Sequence, residues 1–72
     1  MNKKRKRSAE GARIRRLRIK SGLSQEKFAR EVGVTSHTIW RLENDAVFNP
    51  KLETLRAVAR ALGVAVRELI EL

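Results

Sequence analysis

The apolar positions of the chain recur at helical spacing in short blocks, and each block is bounded by a residue that starts or stops a helix. From Ser8 to Lys20, Ile14 and Leu17, with Ala9 or Ala12, fall on one face while basic residues fill the others. This pattern predicts a first helix that ends near Lys20, with Gly22 free to take the left-handed conformation that stops it. Ser24 is placed to cap a second helix by accepting a bond from the open amides of its first turn. Leu23 and Phe28 on either side of that cap form a hydrophobic staple. The second helix is expected to bury Phe28, Ala29 and Val32 and to end at Gly33.

The same start signal then repeats, with Thr35 as cap and Val34 and Ile39 as staple, for a third helix running to about Glu43 or Asn44. Asp45 to Asn49 read as a loop. Asn49 and Pro50 are expected to open a fourth helix, because proline is preorganised for the first helical position. Its buried face is Leu52, Leu55, Val58, Ala59 and Leu62, and Gly63 ends it. A short last helix, about Val66 to Glu71, has Ala65 where a capping residue would help and is expected to fray. No strand-like alternation is long enough to compete, so the pattern describes an all-α protein of five helices.

A chain of 72 residues supports one domain with a modest core and leaves little room to enclose a catalytic pocket. There is no cysteine and one histidine, His37, which removes disulfides, thiolate chemistry and cysteine-based zinc sites; no metal or cofactor is expected. No paired carboxylates, nucleophile with base, or phosphate loop is present to carry chemistry, so an enzyme is not expected. The apolar stretches are too short to span a membrane, and the basic N-terminus has no apolar segment behind it to form a signal peptide. The expected location is cytoplasmic and nucleoid-associated.

Charge changes the picture at one end only. Residues 1–20 carry ten Lys or Arg against Glu10, whereas residues 21–72 carry seven of each sign. The excess of +9 is therefore a local polyanion contact rather than a general solubility device. Residues 1–7 read as a flexible basic arm, since nothing after Met1 is apolar. Residues 8–72 read as the folded domain.

Phe28, Ala29, Gly33, Val34, Ile39 and Leu42 carry the most specific signal. Two short helices that cross closely favour a residue as small as Ala29, and Gly33 supplies the positive φ of a tight turn. These residues describe a helix-turn-helix unit made of helices two and three. Around it stand Ile14, Leu17-Arg18, Gly22-Leu23-Ser24-Gln25, Thr38-Ile39, Arg41-Leu42-Glu43, Asn49-Pro50, Leu52-Glu53-Thr54-Leu55 and Leu62-Gly63-Val64. In that order they make residues 11–70 resemble the Cro and C1-type repressor family, whose fold is a compact five-helix, lambda-repressor-like DNA-binding domain.

Stepping through the third helix at 100° per residue puts Thr35, Ile39 and Leu42 on one side and His37, Trp40, Arg41 and Asn44 on the other, with Ser36 at the edge. A recognition helix presents its N-terminal residues to base edges, so Ser36, His37, Trp40 and Arg41 are the candidates for base contact. Arg41 is suited to guanine O6 and N7, the alternative being a phosphate contact or a solvated side chain. The resemblance implies base contact at Ser36 and His37. Trp40 departs from the family, which usually has a smaller residue there; its indole either packs on a thymine methyl or sugar, or folds over the neighbouring loop.

For Gln25, at the start of the second helix, the resemblance implies a phosphate clamp. Thr35, Asn44, Asn49, Arg13 and the arm residues Lys3, Lys4 and Arg5 are the other phosphate candidates, with capping an alternative role for Asn49. Arg18 and Glu43 match a family ion pair that ties the first helix to the end of the third. Val47 and Phe48 replace residues often polar in the family, and suggest either a dimer contact, completed by Val66, Ile70 and Leu72, or a lid on the core.

The reading that follows is a transcriptional regulator, of the repressor type, that binds a palindromic operator in double-stranded DNA as a homodimer. With no effector domain visible in these residues, regulation is expected through concentration, dimerisation or a partner such as RNA polymerase or a toxin. The rival is an antitoxin or coactivator-like interaction module built on the same fold.

Overall fold

The computed structural model describes residues 7–70, which form α1 (Ala9–Lys20), α2 (Gln25–Val32), α3 (Ser36–Asn44), α4 (Leu52–Leu62) and α5 (Val66–Ile70). No strand occurs among the described residues. The local signals at Ser24, Thr35 and Gly33 act as expected, and Ser8 adds a cap that the apolar pattern does not name. Ser8, Ser24 and Thr35 sit in extended conformation and accept from the amides of Gly11, Lys27 and Thr38 at 2.8, 3.0 and 3.1 Å. Gly33 ends α2 at φ 93°, and its amide and that of Val34 both reach the Ala29 carbonyl, at 2.8 and 3.0 Å. A side chain at that φ would be strained, which is why the tight turn into α3 takes glycine.

The start of α4 differs from the expectation. Asn49 and Pro50 lie before the helix, and Lys51 is the cap residue, with no side-chain bond, because an ammonium has no acceptor to offer the first turn. Leu52 is consequently the first residue of α4 and is 58% exposed, not part of its buried face. The stripe begins one turn later, at Leu55, Val58 and Ala59. The cap of α5 is supplied from inside the helix: Glu68 Oε2 accepts from the Ala65 amide at 3.1 Å, the reciprocal half of a capping box.

Every helix contributes to one core. Ile14 comes from α1, Phe28 and Ala29 from α2, Ile39 from α3, Leu55, Val58 and Ala59 from α4, and Leu69 from α5. In the packing, α3 lies against α1 and α2, α4 backs α2, and α5 closes against α1 and α4. Leu17, Val32, Leu42 and Leu62 pack half-buried around the cluster.

The closest approach in the fold rests on a residue that helical periodicity does not single out. Gly11 is buried where α1 meets the end of α3, while Ala9 is exposed and Ala12 half-buried. A Cβ at Gly11 would lie 2.6 Å from the Leu42 carbonyl oxygen and 3.0 Å from that of Glu43. Both are backbone atoms, so the two helices would have to separate. Gly11→Ala is therefore expected to destabilise the fold by about 1–3 kcal/mol, even though alanine favours helix by about 1 kcal/mol over glycine. Urea unfolding checks this, and an unchanged midpoint would contradict the close approach.

Candidate nucleic-acid interface

The face of interest is built on α2, the turn Gly33 to Thr35, and α3. Ala29 of α2 is almost fully buried, and Ile39 anchors α3 in the core. What sets the height and rotation of α3 is a polar network at its far end. Glu43 is 0% exposed, and its carboxylate accepts from Arg18 Nε at 2.6 Å and Arg18 Nη2 at 3.1 Å, a two-pronged pair. Arg18 Nη1 donates to the Leu23 carbonyl at 2.7 Å, and Gln25 Nε2 donates to Glu43 Oε1 at 3.2 Å. One carboxylate thus joins α1, the entry to α2 and the end of α3. Among the described residues no buried side-chain nitrogen or oxygen lacks a partner.

The N-terminal segment is tied to the same end of α3. The Ser8 amide donates to the Asp45 carbonyl at 3.0 Å, and Arg7 Nη2 donates to Asn44 Oδ1 at 2.9 Å. Asn44 in turn donates through Nδ2 to the Trp40 carbonyl at 2.9 Å. Arg7, counted with the arm in the sequence, is therefore held by the domain, whereas Lys3, Lys4 and Arg5 lie outside the described residues.

Ser36, His37, Trp40 and Arg41 are all exposed on α3. Arg41, with its side chain 64% exposed, meets Asp45 at 3.3 Å, an i,i+4 pair that is not among the expectations from the sequence. His37 and Trp40 stack, with ring centroids 6.2 Å apart and planes 8° from parallel. The indole is 49% exposed and is not among the residues of the core cluster.

The phosphate candidates separate by what already occupies them. Gln25 is half-buried and Asn49 exposed. Thr35 Oγ1 is taken up by its cap bond and by Thr38 Oγ1 at 3.0 Å, and both ends of the Asn44 amide are bonded. Arg13 Nη1 donates to the Glu68 carbonyl at 2.9 Å, which draws this guanidinium toward α5.

The dimer candidates divide similarly. Phe48 and Val66 pack half-buried on the core, Val47 is 75% exposed and Ile70 exposed. Leu72 lies outside the described residues. The loop stands off from α3, leaving an open groove of about 840 Å³ bordered by Val34, Thr38, Leu42 and Phe48.

Two capped helices, joined by a glycine turn and held at a fixed orientation by a third, define a five-helix, lambda-repressor-like helix-turn-helix domain. A family model described as a helix-turn-helix domain matches residues 11–72. An uncharacterized HTH-type transcriptional regulator of Methanothermobacter thermautotrophicus is 47% identical over 58 residues, covering 81% of this chain and 78% of that one. The cryptic phage CTXphi transcriptional repressor RstR of Vibrio cholerae is 37% identical over 59 residues, 82% of this chain; the chain spans about half (52%) of that repressor's length. The P22 c2 repressor, solved in complex with a synthetic operator, superposes with a TM-score of 0.82 at 30% identity, over 89% of this chain and 96% of that one. The chain belongs to the Cro/C1-type helix-turn-helix family.

The ion pair gives a direct test of what holds α3. Arg18→Met leaves the Glu43 carboxylate buried without its counter-charge and is expected to cost about 3–5 kcal/mol. The double substitution Arg18→Met with Glu43→Leu is expected to recover most of that loss, because a buried pair replaced by apolar groups is often near neutral. Denaturant unfolding of the three proteins checks it; a double variant no more stable than Arg18→Met would contradict the assignment.

Proposed function

We propose that this chain is a sequence-specific double-stranded DNA-binding transcriptional regulator, acting as a repressor, which lays α3 in the major groove. The observation that carries this reading is that Ser36, His37, Trp40 and Arg41 stand exposed on a helix whose other face is locked by Ile39 and the buried Arg18–Glu43 pair. The family supports it, since the P22 c2 repressor was solved on an operator with the same fold. Beside α3, the N-terminus of α2 presents amides with no helical acceptor, the arrangement that binds a phosphate. Gln25 stands at that N-terminus, and the second hydrogen of its amide extends the clamp.

Arg41 reads guanine through two parallel bonds to O6 and N7, a contact worth roughly 1–3 kcal/mol of discrimination. Leaving Asp45 costs little, because an exposed i,i+4 pair contributes only a few tenths of a kcal/mol. The basic end, through Lys3, Lys4 and Arg5, adds sequence-independent affinity that falls with salt. Two copies related by a two-fold axis read a palindrome with half-site centres about 10 bp apart. Val47 and Ile70 are the apolar groups free for the contact between copies, with Phe48 and Val66 supporting them from the core side. Binding of this kind represses by occluding polymerase.

Selection of bound sites from random duplex DNA is expected to return such a palindrome. With the selected duplex, Arg41→Ala is expected to lose about tenfold of its preference over a scrambled duplex, read by fluorescence anisotropy. Equal weakening on both duplexes would remove Arg41 from base reading. In sedimentation velocity Val47→Glu is expected to shift the protein toward monomer, and an unchanged distribution would take the loop out of the dimer contact.

A further inference from the structure

Hydrogen bonding does not account for the whole outer face of α3. Trp40 is 49% exposed there, whereas the other large apolar residues of the helix, Ile39 and Leu42, serve the core. We propose that Trp40, braced by His37, is an apolar plate that packs on the C5-methyl group of thymine, so that the operator is read at one step by a methyl group. This inference rests on the major-groove docking of α3 proposed above.

Three observations support the plate. The first is rigidity. His37 and Trp40 are three residues apart on the helix, their planes lie within 8° of parallel, and the stacked neighbour limits the indole to few orientations. Asn44 fixes the Trp40 carbonyl from below and is itself held by Arg7. An aromatic group already ordered in the free protein loses little side-chain entropy on contact.

The second is position. Trp40 lies next to Arg41 and one turn from Ser36, so it is carried to the base edges with the polar readers. The third is chemical match. On the major-groove edges of the four base pairs the thymine methyl is the one apolar group that projects into the groove, and the other groups used in readout are hydrogen-bond donors and acceptors. Covering one of those with an indole face would strip it of water without a partner, a cost that the methyl group avoids. The plate therefore favours A·T over G·C at the step it covers and rejects a donor or acceptor placed there.

The test removes the methyl group and nothing else. In the selected duplex, each thymine is replaced in turn by deoxyuridine, and binding is measured for the wild type and for Trp40→Ala, whose fold is checked by circular dichroism. The wild type is expected to lose about fourfold in affinity at one or two positions, the value of one buried methyl group. Trp40→Ala is expected to bind the thymine and uracil duplexes equally. A wild type indifferent to uracil at every position, or a uracil penalty that persists in Trp40→Ala, overturns the plate. If no duplex is selected or bound at all, the docking reading fails with it; a bound, selected duplex without methyl dependence leaves that reading intact.

Discussion

A carboxylate with no exposure to water, Glu43, accepts bonds from Arg18 on α1 and Gln25 at the head of α2, and the orientation of α3 follows from that one group. Taking two charges out of water costs several kcal/mol for each, and only good geometry with further hydrogen bonds repays it. Here further bonds are present: Arg18 Nη1 donates to the Leu23 carbonyl, and the Leu23 amide donates to the Arg18 carbonyl. A purely apolar contact tolerates a small slide or rotation between helices. A two-pronged pair does not, because both bonds fail together. For a helix proposed to present its outer side chains to base edges, directionality of this kind matters more than net stability.

The apolar core alone is a weak determinant of that orientation. It is assembled from single residues of α1, α3 and α5 and short stripes of α2 and α4, and a chain of this size buries a smaller share of its surface than a larger domain. The backbone contact at Gly11 and the ion pair at Arg18 both join α1 to the end of α3, one by excluding a side chain and the other by requiring two. Together they make α1 the element against which α3 is indexed, although α1 contributes no residue to its exposed face.

What the sequence made legible was local. Ser24, Thr35 and Gly33 act on the amides and carbonyls of their own helix ends, so their roles follow from neighbours within four residues. The entry to α4 was misread because its cap, Lys51, works through its backbone and leaves no mark in the side-chain pattern; Leu52 was placed in the core for the same reason, one turn too early. Gly11 was invisible because the need for it lies in the carbonyls of Leu42 and Glu43, 31 and 32 positions away. Arg18 and Glu43 were paired by resemblance to the family, not by spacing. In the loop, Val47 and Phe48 are equally apolar as letters, and only the path of the chain decides that Phe48 turns inward. The stack of His37 on Trp40 was within reach of an i,i+3 rule; the outward set of α3 contained both rings.

The bonds from Ser8 to Asp45 and from Arg7 to Asn44 moor the beginning of the domain to the C-terminal end of α3. Residue 7 is thereby held beside the end of α3, and any segment ahead of it leaves the domain there. The docking of α3 proposed above therefore sets the point from which the preceding chain departs, along with the helix itself. The same mooring means that a tag fused directly ahead of residue 7 emerges beside the end of α3, next to the proposed interface.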